Sequence, residues 1–395
     1  MPEGPDPEPT AVPLVATADE QLPAEDKATP GRGLEDEVAL CLSGGGYRAM
    51  LFHLGALGYL NERGFLPRLA RVSSVSGGSI TAAALGLAWG DLAFDAAGVA
   101  TAFGARVVEP LRRLAGRSID VAAIAGGILS SDSVGERLTR AYRKHLFGSA
   151  TLQDLPDRPR FVINATNVQS GALFRFSKPY IWDYRVGKVP APTLEVAAAV
   201  AASSAFPPVL SPVSLRFPAG AFAPGTGKDL QRPPYTREVV LTDGGVYDNL
   251  GLETVWKRYR TILASDGGGK LGPEEHPESD WVRHSARILD LIDNQVRSLR
   301  KRQLVAALAT GGRGGAYWGI RTDSSHYPVA DPLPCPHEKT MKLAAVATRL
   351  DALPAITQER LINWGYAVCD AAMRSHVEKG WARPAGFPYP AAGVG

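Results

Sequence analysis

The chain has 395 residues, of which 45% are hydrophobic and 21% charged, with a formal net charge of +3. That is enough apolar material for one large core or two modest ones. So small a positive excess, without an aromatic-interleaved basic stripe, argues against nucleic acid as a partner. Three cysteines, Cys41, Cys335 and Cys369, are too few and too scattered for a disulfide framework, and no metal-ligand spacing is visible, so no metal or other cofactor is expected.

Met1 to about Arg32 is rich in Pro, Glu, Asp and Ala without hydrophobic periodicity. It reads as a disordered acidic leader, taken to run through residue 34, with no targeting signal. No stretch reaches the ~18 apolar residues of a membrane span. A cytoplasmic protein with peripheral membrane contact at most is expected. No internal repeat is visible.

The first patterned segment is Val38-Ala39-Leu40-Cys41-Leu42 followed by Ser43-Gly44-Gly45-Gly46-Tyr47-Arg48-Ala49-Met50. It has the form of a buried strand, a tight turn and a helix start. Such a turn presents backbone N–H groups to an anion, as an oxyanion hole or a phosphate loop does. The G-K-[ST] ending of a P-loop is missing, and a G-x-G-x-x-G match fails at its last position. Arg48 adds a fixed positive charge suited to an anionic intermediate or a lipid phosphate. His53 falls on the following helix, where packing explains it.

About one supersecondary unit later comes Leu69-Ala70-Arg71-Val72-Ser73-Ser74-Val75-Ser76-Gly77-Gly78, then helix-like Ile80 to Leu85. A serine at a sharp strand-to-helix turn needs small neighbours, and the helix N-terminus behind it favours developing negative charge. The elbow pattern is G-x-S-x-G; here Ser74 stands at the first glycine, with Gly77 and Gly78 after Ser76. The plainer reading is a strand–turn–helix junction with a capping serine.

From about Ala93 to Pro159 the pattern weakens, although Val108 to Leu114 and the apolar run from Ile119 to Leu129 suggest a helical insert. A lid, a lipid-facing surface and an ordinary covering subdomain all fit. Thr193 to Ala205 is helix-like and ends at Ser203-Ser204-Ala205-Phe206-Pro207, which either shapes a pocket or simply stops the helix before proline. Glu238 to Thr242 reads as a buried strand ending in Asp243-Gly244-Gly245. Further on, Leu289, Ile292, Val296, Leu299 and Gln303 follow helical spacing beside Arg297, Arg300, Lys301 and Arg302. A basic amphipathic helix of that kind lies on anionic lipid or packs on a core with a solvated face.

A nucleophilic serine needs a base. None of the seven histidines occupies an obvious strand-end turn; His326 and His337 are loop candidates. Asp243, at a strand tip held by two glycines, is the better one, able to face a serine across neighbouring strand ends. Alone, Asp-Gly-Gly is a simple turn.

In this order, SGGGYRAM, SVSGGS, ASSAFPP and TDGG resemble the patatin-like phospholipases, over about Val38 to Gly251. The first motif is closer to the cytosolic group-IV phospholipase branch than to plant patatin. The chain departs from the pattern at Ser74 and at Ala49, where glycine is common. The resemblance implies a Ser–Asp dyad in place of a Ser-His-Asp triad, with Ser76 as nucleophile and Asp243 as its activator. It implies that the Gly44, Gly45 and Gly46 amides, with Arg48 beside them, receive the oxyanion.

The expected fold is therefore α/β, a three-layer sandwich with a mainly parallel central sheet and helices on both faces, a patatin-like relative of the α/β-hydrolases. A catalytic domain over 35–270, with the insert at about 93–159, would be followed by an α/β extension over 271–395. The expected function is lipid acyl hydrolysis of the phospholipase A or lysophospholipase type. A carboxylesterase or acyltransferase with the same dyad, or a catalytically silent lipid- or partner-binding protein, are the alternatives.

Overall fold

The structure, a computed structural model, describes residues 33–119 and 133–395. The leader up to residue 32 and the apolar run from residue 120 lie outside the described residues.

Ten strands form one mixed sheet. They are β1 (Glu35–Leu42), β2 (Leu69–Val75), β3 (Arg160–Asn167), β4 (Ala172–Phe176), β5 (Tyr180–Asp183), β6 (Gly187–Pro190), β7 (Val213–Arg216), β8 (Glu238–Asp243), β9 (Tyr259–Asp266) and β10 (Gly314–Gly319). The main order is β10-β9-β1-β2-β3-β4-β5-β6. From β10 to β3 every neighbouring pair is parallel; from β3 to β6 every pair is antiparallel. Burial is not confined to the parallel half, since β4 and β5 are buried at every residue. All seven residues of β2 are buried, as expected of a strand covered on both faces.

The helices described are α1 (Gly46–Glu62), α2 (Gly77–Ala88), α3 (Glu109–Ala115), α4 (Val134–Tyr142), α5 (Val196–Ser203), α6 (Gly245–Asp248), α7 (Glu253–Trp256), α8 (Trp281–Ala309), α9 (His337–Ala344) and α10 (Ala355–His376). The parallel strands, flanked by helices, give the expected α/β sandwich with a mostly parallel central sheet. Helix α1 is buried nearly all round, which its composition (GYRAMLFHLGALGYLNE) anticipates. It crosses α10 at backbone contact. A Cβ on Gly55 would lie 1.9 Å from the Ile362 carbonyl oxygen, and one on Gly365 would lie 1.8 Å from that of Phe52.

The C-terminal residues complete this layer architecture. Strand β10 extends the sheet beyond β9, and the Trp364 indole N–H donates to the Ile320 carbonyl at 2.8 Å. The described part of the insert is a cover. Leu111, Leu114, Leu138, Tyr142 and Phe147 all belong to the main hydrophobic core. Helix α4 starts on a capping box between Ser133 and Glu136.

Candidate active site

Strands β2 and β8 share one edge of β3. Residues Arg71 to Val75 pair in parallel with Arg160 to Asn164, and Leu241 to Asp243 pair antiparallel with Asn167 to Ala165. Strand β4 occupies the other edge of β3. The two strands therefore run toward each other and stop at adjacent β3 residues: Val75 faces Asn164, and Asp243 faces Ala165. Ser76 follows Val75 directly. The juxtaposition is end to end along one edge of β3.

Ser76 sits in the turn between β2 and α2 with φ 51° and ψ −119°, a conformation that a non-glycine residue rarely adopts. The surroundings hold it there. Its N–H donates to Ser203 Oγ at 3.0 Å, and the Ser203 hydroxyl donates to the Asn164 carbonyl at 2.6 Å. Gly77 must be glycine because a Cβ there would lie 2.2 Å from the Gly46 carbonyl oxygen. Gly78 donates to the Ser43 carbonyl at 3.1 Å, so the elbow and the glycine turn are packed backbone to backbone. Ser74 is buried in β2 with its hydroxyl donating to the Val162 carbonyl at 3.2 Å, which accommodates serine where the elbow pattern has glycine.

Ser76 is 8% exposed and Asp243 only 2%. Asp243 Oδ1 accepts from the Gly245 N–H at 2.7 Å, whereas Oδ2 is buried without a hydrogen-bond partner. Burial drives the carboxyl up to about pKa 7; the Gly245 amide and the neighbouring Ser76 hydroxyl pull it down, and the charge of Asp293 raises it further. The Ser76 hydroxyl is thus near enough to act on this carboxyl.

The glycine turn lies against the serine. A Cβ on Gly44 would sit 3.1 Å from Ser76 Cβ. Its N–H, however, donates to the Asn249 carbonyl at 3.1 Å and is not free to bind an oxyanion. Gly45 and Gly46, at φ 143° and 60°, have N–H groups with no protein partner among the described residues. Arg48 lies beside the glycine turn, its Nη2 3.2 Å from where a Cβ on Gly45 would be. Its guanidinium is buried and donates to the carbonyls of Gly267 and Val346, so it ties the segments after β9 and α9 to the start of α1. Desolvation lowers its pKa to about 10.

Two residues matter more than their sequence context suggests. His53 Nε2 donates to the Ser43 carbonyl at 2.9 Å, because a carbonyl only accepts, and Nδ1 therefore accepts from the Ser265 hydroxyl at 2.7 Å. It is completely buried, and desolvation depresses its pKa to about 4, so it stays neutral and acts as a brace beneath the glycine turn. Ser203 joins the elbow to β3, while the Ser203 and Ala205 carbonyls accept from Gly244 and Asp243 N–H. Its place in a serine pair before Phe206-Pro207 was the only signal. His337, expected in a loop, is the first residue of α9 and 4.0 Å from Asp323, and His326 is in the 324–326 turn; neither is hydrogen-bonded to Asp243, whose Oδ1 accepts from Gly245 and whose Oδ2 has no partner.

The predicted amphipathic stripe does not pack on the core. On α8, Trp281 is 81% exposed, Leu289 59% and Leu299 58%; Leu304 is buried. Asp280 caps this helix by accepting from Arg283 N–H at 3.0 Å.

A family profile described as patatin-like phospholipase matches residues 40–256, more than half the chain. The chain belongs to the patatin-like phospholipase family. Among solved structures it is similar to human GIVD cytosolic phospholipase A2 in complex with methyl gamma-linolenyl fluorophosphonate, at 13% identity and TM-score 0.50, over 85% of this chain and 57% of that one. Human GIVD cytosolic phospholipase A2 alone gives 13% identity and TM-score 0.48, over 88% and 61%. VipD from Legionella pneumophila gives 17% identity and TM-score 0.34, over 86% and 67%. The chain thus spans about six-tenths of the human structures it matches. No curated protein matches it.

Proposed function

We propose that the chain is a serine lipid acyl hydrolase of the phospholipase A or lysophospholipase type, working through a Ser76–Asp243 dyad. The observation that carries this is the end-to-end meeting of β2 and β8, which sets a strained serine beside a buried carboxyl with one free oxygen. Asp243 Oδ2 takes the Ser76 proton as Oγ attacks an ester carbonyl. A base with pKa about 7 suits that transfer at neutral pH. The Gly45 and Gly46 N–H groups, with that of Gly77, receive the oxyanion. The intermediate collapses, the ester C–O bond breaks, and Asp243 returns the proton to the departing alcohol or lysolipid. Water then attacks the acyl-serine, again giving its proton to Asp243, and the fatty acid leaves as Ser76 is restored.

Access to lipid is supplied by α8. Its exposed apolar residues, among them Trp281, Leu289, Ile292 and Leu299, lie on a helix that also exposes Arg302, which suits a helix resting on an anionic interface. No helix among the described residues is long and apolar enough to cross a membrane.

A fluorophosphonate probe tests the reading. Labelling of the wild type and none of Ser76→Ala is expected. A wild type that resists the probe, or equal labelling of Ser76→Ala, overturns it. Full turnover by Asp243→Asn would remove the dyad while leaving the nucleophile.

A further inference from the structure

A cavity of about 420 Å³ opens beside the glycine turn, lined in part by Asp266, Lys270, Arg297, Lys301 and Arg321. Its lining residues all come after residue 256, where the family match ends. Four cations thus converge there from three segments: the loop after β9, two positions one turn apart on α8, and the residue following Ile320.

Against them stands one lining carboxylate, and it is already engaged. Asp266 Oδ1 accepts from Gly268 N–H at 2.9 Å and Oδ2 from the Tyr317 hydroxyl at 2.7 Å. Arg297 is held by Asn294 Oδ1 at 3.2 Å and lies 3.9 Å from Asp293; Lys301 sits over the Tyr317 ring at 4.8 Å. Lys270 and Arg321 have no ion-pair partner among the described residues. The Arg48 guanidinium backs the floor, 3.2 Å from where a Gly269 Cβ would be. Lys270 and Arg321 are exposed at the rim and Arg297 and Lys301 half-buried, and like charges gathered in one concavity repel unless an anion joins them. Guanidinium forks and ammonium groups together suit phosphate oxygens.

The cavity is one side chain from the dyad. A Cβ on Gly268 would lie 3.2 Å from Asn249 Nδ2, and one on Gly44 would lie 2.4 Å from Asn249 Oδ1 and 3.1 Å from Ser76 Cβ. Asn249 therefore separates the cationic cavity from the nucleophile.

From this we infer that Lys270, Arg297, Lys301 and Arg321 form a binding site for a phosphomonoester. The group is the headgroup of a lipid such as phosphatidic acid, or the phosphate of a soluble molecule. The lipid source rests on the hydrolase reading above; phosphate binding as such does not.

The test uses the full chain and the Lys270→Gln/Arg321→Gln double variant. Calorimetry with glycerol 1-phosphate, with glycerol as control, reads binding without catalysis. Binding to the wild type but not to glycerol, weakened about tenfold or more in the variant, is expected from the loss of charge-assisted hydrogen bonds. In parallel, hydrolysis of phosphatidic acid and phosphatidylcholine is measured in mixed vesicles of the two. A fall of about tenfold in the ratio of their kcat/KM values in the variant supports the lipid headgroup as ligand. Glycerol 1-phosphate binding lost in the variant, with that ratio unmoved, supports the site and makes the ligand soluble. Equal binding by wild type and variant, or no binding of glycerol 1-phosphate by the wild type together with an unmoved ratio, overturns the proposal. If no ester is cleaved at all, the hydrolase reading falls, and calorimetry still decides the site.

Discussion

Asp243 ends β8 opposite Ala165, and Ser76 directly follows Val75, which ends β2 opposite the adjacent Asn164, so the two meet head-on along the same edge of β3. The β3 backbone therefore sets their separation. The Ser203 hydroxyl donates to that same Asn164, and Thr166 Oγ1 donates to the Asp243 carbonyl at 2.8 Å. One short segment of β3 thus anchors both halves of the proposed dyad.

Asp243→Asn is expected to abolish most turnover while stabilising the fold. The folded carboxyl has pKa about 7 against an ordinary 3.8. Between those values the unfolded chain gives up its proton and the folded one keeps it, so wild-type stability falls as pH rises and levels off above about 7. The asparagine variant lacks this loss. Denaturant melts should place it about 1–3 kcal/mol above wild type on the alkaline side, converging as pH falls below the ordinary carboxyl value.

The same group sets the pH profile. Only ionised Asp243 accepts the serine proton, so kcat/KM should rise with unit slope toward a plateau above about pH 7. A profile flat down to pH 5 would point to another base.

Ser203→Ala removes the acceptor of the Ser76 N–H and the donor to Asn164. A loss of about 1–3 kcal/mol in stability is expected. With the φ 51° turn less firmly held, kcat should fall more than KM changes. Ser203→Thr, which keeps a hydroxyl, should recover part of both; equal loss in the two variants would show that packing alone is at stake.

His53→Leu leaves the Ser265 hydroxyl without its acceptor and the Ser43 carbonyl without one of its two donors. It should cost about 1–3 kcal/mol and lower kcat by loosening the glycine turn. Because His53 has pKa about 4, the limb near pH 7 should not move. A moved limb would make His53 part of the proton chemistry.

Arg48→Lys tests the strut. A single ammonium cannot reproduce a guanidinium that donates to both Gly267 and Val346. A thermal melt should show destabilisation of about 1–3 kcal/mol. Wild-type stability together with a fall in kcat would instead give Arg48 a role at the oxyanion.

The serine turn, the glycine turn, the Asp-Gly-Gly strand tip and the α/β alternation were all readable in the chain. Each is a local device: small residues where backbone meets backbone, and apolar runs where a strand is covered on both faces. The hydrophobic spacing on α8 was readable too, but not its exposure, since periodicity is the same for a buried and an unpartnered face. Pairing partners are equally invisible to local pattern. That β2 and β8 stop nose to nose on β3, that Gly44 spends its N–H on Asn249 and that Arg48 reaches Gly267 are long-range hydrogen bonds. The cationic cavity is of this kind as well: its residues, spread from Asp266 to Met341, are neighbours only because β10 and α8 return to the edge of β9.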